Sequence, residues 1–190
     1  MSADRAQLLA LLRDRAFERK RVVLASGRES DFFIDCKQAV LTAEGHALVG
    51  QVMLGAVLDL TLCAAVAGVE LGGCPLASAV ALTSFQRGTP IDAIYVRKDA
   101  KEHGSKRLLE GNTRIAVGST VVLLEDVVTT GGSTLKAADK LRDAGYTLGG
   151  VVALVDRLEG GREGIEESGL AFRAIFTRDD FIPPQATEGR

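Results

Sequence analysis

Two adjacent carboxylates, Glu125 and Asp126, stand shortly before a run of threonine, glycine and serine residues. Residues 121–134 read VVLLEDVVTTGGST, and an amphipathic helical pattern follows. Glycine lets a backbone approach a phosphate closely, hydroxyl groups add donors, and a helix N-terminus offers free N–H groups and a partial positive charge. The carboxylates would repel a phosphate, but they accept hydrogen bonds from the neutral hydroxyls of a ribose. The segment therefore predicts a site for ribose 5-phosphate where a buried strand ends.

Two common phosphate-binding motifs are absent from this segment. Lys136 follows the glycine pair at the wrong place for G-x-x-x-x-G-K-[ST], and no G-x-G-x-x-G opens a helix after a strand. An ordinary helix N-cap after an edge carboxylate is the plain structural alternative. That alternative does not explain why a pair of acids, a pair of threonines and a pair of glycines follow one another in this order.

A second candidate lies in the polar stretch of residues 97–114, which is long for a connection. It contains six Lys or Arg and three Asp or Glu, in a chain whose net charge is −2. Cations placed where oxygen atoms gain negative charge during a reaction favour the transition state over the ground state. Charge alone would favour a solvated surface loop. The ribose-phosphate segment downstream favours a catalytic role instead.

These residues need a scaffold, and the apolar pattern predicts an α/β fold. Apolar runs rich in Ala, Val and Ile indicate strands, and helical stretches separate several of them, which is typical of a mostly parallel sheet covered on both faces. Ligands of such sheets bind at the carboxyl ends of the strands. The predicted sheet strands are residues 64–69, 91–96, 121–124, 151–155 and 172–176, with helices at 76–85 and 135–144.

The N-terminal part predicts a smaller unit. Leu8, Leu9, Leu11 and Leu12 give a first helix an apolar face, and Thr42 and Glu44 open a long helix that runs to Leu60. Between these helices we expect two short strands, at residues 21–25 and 32–35, joined by a turn at residues 26–28.

Composition excludes several classes of protein. The chain has 190 residues, 46% of them hydrophobic, with no tryptophan and near-neutral charge, so nothing marks it as a nucleic-acid binder. Three cysteines without a C-x-x-C pair indicate neither a disulfide framework nor a zinc site. The N-terminus lacks the apolar core of a signal peptide, and Gln51 and Asp59 interrupt the most apolar region. We therefore expect a cytoplasmic protein without membrane partners.

Residues 125–134 resemble the motif with which type I phosphoribosyltransferases bind phosphoribosyl pyrophosphate (PRPP). The resemblance implies that Glu125 and Asp126 bind the ribose hydroxyls and that residues 129–133 surround the 5-phosphate. The PRPP-binding residues that it implies here are Glu125, Asp126, Val127, Val128, Thr129, Thr130, Gly131, Gly132 and Ser133.

The stretch after Val96 resembles the catalytic loop of the orotate-specific branch of this family. The resemblance implies that four residues bind PRPP and act in catalysis: Arg97, Lys98, Lys101 and His103. In that branch the loop reaches the partner subunit's active site, which implies a homodimer with shared sites. Lys101 would be the main group that stabilises the departing diphosphate.

Residues 26–35 resemble the N-terminal hood of the same branch. The resemblance implies that Phe33 faces the pyrimidine ring, that Arg157 pairs with the carboxylate of orotate, and that Thr129 is a further orotate contact. Without the resemblance, Phe33 could equally be a half-buried strand residue.

Residues 68–76 resemble the loop that lies against pyrophosphate in this family. Many members have lysine where this chain has Gly72, and some have lysine where it has Ala25. A diphosphate contact from the loop at residues 68–76 must therefore come from backbone or be missing.

The resemblance implies a single type I phosphoribosyltransferase domain over residues 1–190, with a hood mainly at 1–40, a core at about 41–180 and a flexible catalytic loop at about 97–114. The implied reaction joins orotate to the ribose 5-phosphate of PRPP in pyrimidine synthesis. Mg²⁺ is implied as a companion of the pyrophosphate, held mainly by substrate oxygens and water. A transferase for a purine base and a PRPP-sensing regulator of the same fold are the alternatives.

Overall fold

The helices and strands alternate along most of the chain. The computed structural model describes residues 2–20, 22–23, 29–99 and 107–182. In chain order the elements are α1 (Ala3–Arg15), β1 (Phe17–Glu18), β2 (Val22–Val23), β3 (Glu29–Ser30), β4 (Phe33–Ile34), α2 (Lys37–Val40), α3 (Ala43–Leu60), β5 (Ala65–Val69), α4 (Gly73–Gln86), β6 (Asp92–Val96), β7 (Leu109–Glu110), a short 3₁₀ helix (Asn112–Arg114), β8 (Thr120–Val128), α5 (Gly132–Asp143), β9 (Thr147–Asp156), α6 (Gly161–Glu167), β10 (Phe172–Thr177) and α7 (Arg178–Phe181).

The central sheet has six strands in the order β10-β9-β8-β5-β6-β7. Neighbouring strands run parallel except for β7, which pairs antiparallel with β6. The predicted strands and the mostly parallel sheet are therefore confirmed. Because both faces are covered, the strands read as nearly continuous apolar runs.

Side chains of β8 show how the two faces of the sheet are divided. Val122 and Leu124 join a cluster that includes α1, α3 and part of α4, whereas Val121 and Leu123 join a cluster with α5 and β9. All four side chains are fully buried. Such burial stabilises each side chain by about 1.5–3 kcal/mol relative to exposure to water, so β8 is held at the centre of the fold from both sides.

The predicted long helix is confirmed as α3, and its first turn is capped as the sequence indicates. Thr42 lies at the N-cap, and its side-chain oxygen accepts a hydrogen bond from the backbone N–H of Gly45 at 3.0 Å. Leu8, Leu9 and Leu12 of α1 are buried against the same cluster. The N-terminal elements thus share the hydrophobic cluster on one face of the sheet.

The pairing of the short N-terminal strands differs from the prediction. We expected residues 21–25 and 32–35 to be two strands joined by a turn. In the structure β4 pairs with β1, and β2 pairs with β3, so that four two-residue strands form two small sheets. β1 escaped prediction because a two-residue strand has no measurable periodicity. The turn itself lies outside the described residues.

The acid pair lies within β8, so the prediction that it follows the end of the strand is wrong. β8 pairs with β5 only as far as Leu124, opposite Gly68. On its other side β8 continues to pair with β9 as far as Val128, opposite Asp156. Glu125 and Asp126 are therefore held by a strand on one side and open towards the turn between β5 and α4 on the other.

The structure predicts opposite outcomes for truncating the adjacent residues Phe32 and Phe33. Phe32 is fully buried, with its ring centroid 5.3 Å from that of Phe17 and 5.7 Å from that of Phe181. Phe32→Ala should therefore lower the free energy of unfolding by about 3–5 kcal/mol. Phe33 is half-buried on the other side of the strand, and Phe33→Ala should lower it by less than about 1 kcal/mol. Urea unfolding of both variants checks this, and equal losses would contradict the assigned orientation of β4.

Candidate active site

A cavity of about 280 Å³ opens at the carboxyl ends of the strands, beside the acid pair. Its wall combines residues from α2, the turn between β5 and α4, the end of β6, β8 and the first turn of α5. The polar or small residues that define it are Lys37, Gly72, Lys98, Glu125, Asp126 and Ser133. The structure thus brings the acid pair, the small-residue segment and the start of the cationic stretch together around one space.

Glu125 connects the strand to the helix that follows. Its carboxyl group is buried and accepts hydrogen bonds from the Ser133 hydroxyl at 3.3 Å and the Thr134 hydroxyl at 3.1 Å. Both donors lie in the first turn of α5. The side chain therefore fixes where the helix begins relative to β8.

The environment of Glu125 raises its pKa to about 8. Burial is the main cause, because it disfavours the charged form, and the neighbouring Asp126 carboxylate adds repulsion. The two hydroxyl donors act in the opposite direction. The acid pair consequently carries less than two negative charges at neutral pH, which reduces its repulsion of a phosphate nearby.

Asp126 is the more accessible acid of the pair. Its Oδ1 accepts a hydrogen bond from the backbone N–H of Val127 at 2.9 Å. A Cβ atom added to Gly72 would lie only 1.9 Å from Asp126 Oδ2. With the carboxylate in this position no side chain fits at residue 72, so the turn between β5 and α4 offers only backbone there.

The small-residue segment makes a close turn into α5. Gly131 is the N-cap of α5 with a φ of 77°, a conformation that favours glycine. A Cβ atom on Gly161 would lie 2.4 Å from Val128 Cγ1, so the start of α6 packs directly against this turn. Gly132 and Ser133 are exposed at the helix N-terminus, where backbone N–H groups and the helix dipole favour an anion.

The first residues of the cationic stretch are held by four backbone contacts. Arg97 N–H donates to the Leu108 carbonyl at 2.9 Å, and Lys98 N–H donates to Glu70 Oε2 at 2.9 Å. The Lys140 ammonium group of α5 donates to the carbonyls of Arg97 at 2.8 Å and Lys98 at 2.7 Å. Lys101 and His103, which we predicted in the same stretch, lie outside the described residues.

Of the three predicted orotate contacts, Arg157 and Phe33 lie where the hood meets the end of β9, whereas Thr129 lies in the turn between β8 and α5. Arg157 is buried, donates to the Phe32 carbonyl at 3.0 Å and has its Nε 3.0 Å from Glu159 Oε1. The Phe33 ring is half-buried and has the Lys20 ammonium group 3.9 Å from its centroid. Arg157 therefore links the core to the hood, and the Phe33 ring is not part of the core.

Sequence reasoning missed three polar residues of this region. Lys37 lines the cavity, and Glu70 and Lys140 hold the backbone at Arg97 and Lys98. A lone lysine on a short helix, an acid in a turn and a lysine on an amphipathic helix are ordinary surface features. Their proximity arises from the order of the strands, which periodicity does not reveal.

Known proteins that resemble the chain agree with this architecture. The phosphoribosyl transferase domain family matches residues 63–167. An orotate phosphoribosyltransferase of Sorangium cellulosum (strain So ce56) is 67% identical over 182 residues, which cover 96% of this chain and 95% of that protein. The chain belongs to the orotate phosphoribosyltransferase family. The predicted fold class and family are confirmed, and a purine-specific transferase is not favoured.

Solved structures of the family have the same fold. The orotate phosphoribosyltransferase of Mycobacterium tuberculosis H37Rv, in complex with Fe(III) dicitrate, superposes with a TM-score of 0.80 at 39% identity, covering 94% of this chain and 98% of that one. A crystal structure of the same M. tuberculosis enzyme in complex with PRPP gives a TM-score of 0.76 at 35% identity, with the same coverage. Within the described residues, no helix of this phosphoribosyltransferase is long and apolar enough to cross a membrane.

The raised pKa of Glu125 predicts a pH-dependent difference between the wild-type protein and Glu125→Gln. Above the ordinary pKa of glutamate the unfolded wild-type chain loses this proton, while the folded protein keeps it up to a pH of about 8. The ionisation of Glu125 should therefore lower the free energy of unfolding of the wild-type protein as the pH rises from about 4.5 to about 8. A glutamine side chain does not ionise, so Glu125→Gln should not lose stability in this way.

The melting temperature of Glu125→Gln relative to wild type should accordingly increase across that pH range and become constant above it. Thermal unfolding at a series of pH values measures the difference. A difference independent of pH would show that Glu125 ionises normally in the folded protein.

Proposed function

We propose that the protein transfers ribose 5-phosphate from PRPP to orotate, giving orotidine 5′-monophosphate and pyrophosphate in pyrimidine biosynthesis. The observation that carries this proposal is the arrangement of β8 and α5, which sets an acid pair and a helix N-terminus beside one cavity. The membership in the orotate phosphoribosyltransferase family supports the choice of base. Incubation with PRPP, Mg²⁺ and each base separately tests it, and consumption of a purine but not of orotate would contradict it.

PRPP would bind with its ribose hydroxyls at the acid pair and its 5-phosphate at the N-terminus of α5. Asp126, together with Glu125, accepts hydrogen bonds from the ribose hydroxyls. The 5-phosphate lies against the N-terminus of α5, where residues 129–133 donate backbone and hydroxyl hydrogen bonds. The exposure of Gly132 and Ser133 in the first turn of α5 supports this, because their backbone N–H groups are open to an anion there.

The reaction is a substitution at the anomeric carbon of the ribose. The bond from this carbon to the diphosphate oxygen breaks, its electron pair leaves with the diphosphate, and N1 of the orotate anion forms the new bond. Because the base arrives as an anion, no general base is needed. Arg97 and Lys98, with Lys101 and His103, would stabilise the charge on the departing diphosphate. Removing one such contact should cost a factor of about 10²–10³ in rate.

Orotate would lie between the hood and the end of β9. The guanidinium of Arg157 suits a base that carries a carboxylate, because the two groups can pair through parallel hydrogen bonds. The Phe33 ring would cover one face of the pyrimidine, and Thr129 would contact its edge. The position of Arg157 beside the hood backbone supports this site.

Mg²⁺ would accompany the diphosphate. Within the described part of the chain, no three His, Cys, Asp or Glu side chains cluster as a metal cage. The acid pair nevertheless fits this ion, since Mg²⁺ commonly takes one or two carboxylates together with substrate phosphates and water. Asp126 would be its protein ligand, and the ion would supply further positive charge to the leaving group.

We further propose a cytoplasmic homodimer in which the catalytic loop of one subunit serves the other subunit's site. Leu82 and Phe85 on α4 support an association surface, because both large apolar side chains are mostly exposed, at 55% and 72%. They lie three residues apart and therefore share one side of the helix. Neither nucleic acid nor a membrane has a place in this function.

Two inactive variants should complement each other if the site is shared. Lys101→Ala removes a loop cation, and Asp126→Asn removes a ribose contact, so each homodimer should be nearly inactive. In a mixed dimer one of the two sites receives both an intact loop and an intact acid pair. Mixing the variants should therefore restore part of the activity, measured by loss of orotate absorbance. No recovery despite demonstrated subunit exchange would argue against a shared site.

Two substitutions should separate base recognition from PRPP recognition. Arg157→Lys and Phe33→Ala should raise the KM for orotate at least about tenfold, because a charge-assisted pair or a ring contact is lost. The KM for PRPP should change little, and Phe33→Ala should remain folded. Steady-state kinetics with each substrate varied in turn measures both. A larger effect on PRPP than on orotate would refute the assigned orotate site.

A further inference from the structure

Lys37 is a cation of the cavity that comes from the N-terminal part of the chain. It is the first residue of α2, directly after the hood, and its half-buried side chain lines the same cavity as Asp126 and Gly72. Lys98, the other lysine among the described lining residues, lies two residues after the end of β6. The two ammonium groups therefore come from separate elements of the fold.

Asp35 holds the Lys37 ammonium group in place. The distance from Lys37 Nζ to Asp35 Oδ1 is 2.5 Å, and the same carboxylate accepts the backbone N–H of Lys37 at 3.3 Å. Gln38 donates to the other oxygen of Asp35 at 3.1 Å. An ammonium group has three donors, and the contact with Asp35 uses one of them.

The charges of the cavity call for such a cation. Its described lining includes the carboxyl groups of Glu70, Glu125 and Asp126 and two lysines, and because Glu125 is largely protonated at neutral pH the negative and positive charges about balance. A diphosphate brought beside them needs compensating positive charge. Gly72 has no side chain to supply it, and with the Asp126 carboxylate in its present position a Cβ atom there would lie 1.9 Å from Oδ2. The pKa of Lys37 is raised by its hydrogen bond to Asp35 and further by Asp126, so its charge is secure.

We propose that Lys37 donates a hydrogen bond to the diphosphate of PRPP and so takes the place of a cationic side chain from the turn between β5 and α4. This inference rests on the proposed function, since it assumes that PRPP occupies this cavity. Lys37 then faces the leaving group from the hood side, while Lys98 faces it from the end of β6.

Calorimetric titration of the full-length protein with two probes, in the presence of Mg²⁺, tests the proposal. PRPP carries the diphosphate, whereas ribose 5-phosphate presents only the parts that the acid pair and α5 would bind. Lys37→Met should weaken PRPP binding by about tenfold to hundredfold, the range for a lost charge-assisted hydrogen bond. It should leave ribose 5-phosphate binding unchanged. Lys37→Arg, which keeps the charge, should restore most of the PRPP affinity.

Arg142→Met is the control, because it removes one positive charge from an exposed position in the last turn of α5, at the far end of the helix from this cavity. It should leave PRPP affinity close to that of the wild type. Asp35→Asn reports the alternative that Lys37 serves only as a structural partner: in that case Lys37→Met and Asp35→Asn would lower the melting temperature alike, and PRPP affinity would not change.

The outcomes separate the two proposals. If wild type binds both probes and Lys37→Met binds PRPP equally well, or loses affinity for both probes equally, the role of Lys37 is refuted while the proposed function stands. If wild type binds neither probe, the proposed function fails and the inference about Lys37 fails with it.

Discussion

A buried carboxyl group joins the two halves of the site. Glu125 belongs to the central strand, and its hydrogen bonds to Ser133 and Thr134 fix the start of the next helix. The distance between the acid pair and the helix N-terminus is therefore set by the strand, the short turn and these two hydrogen bonds. Burial raises the pKa of this group, so its position lowers the stability of the folded protein at a pH where a free glutamate would be ionised.

Other parts of the structure are attached to the same end of β8. The backbone N–H of Arg157 donates to the Val128 carbonyl at 3.0 Å, and the Cys36 thiol lies 3.9 Å from the Asp126 carbonyl oxygen. Cys36 directly precedes Lys37, so the hood is anchored where the ribose would bind. On the other side, Glu70 and Lys140 hold the backbone of Arg97 and Lys98. The residues proposed to bind the sugar, the base and the leaving group are therefore held around the same end of β8, an arrangement that would favour precise orientation of the reactants.

The sequence predicted the strands and the long helix of the core well, because long apolar runs and a helix N-cap are strong local signals. The five predicted sheet strands all exist, and α3 begins after Thr42 as expected. The prediction placed the acid pair after the strand because carboxylates are rarely buried. Pairing with β9 extends β8 through them instead.

Features that depend on tertiary pairing could not be predicted in this way. The two small hood sheets connect residues whose separation along the chain carries no periodic signal. The collision between a Gly72 side chain and Asp126, and the position of Lys37 beside both, depend on β5 and β8 being neighbours. The resemblance to a known family supplied the roles of Arg157 and Phe33, which their local sequence does not distinguish from structural ones.

A crystal structure of the protein with bound ribose 5-phosphate tests the central claim most directly. The account predicts that the phosphate lies within hydrogen-bonding distance of the backbone N–H groups of residues 129–133, with the 2′ and 3′ hydroxyls at Asp126. A sugar phosphate bound in the reverse orientation, or at another place in the fold, would contradict it.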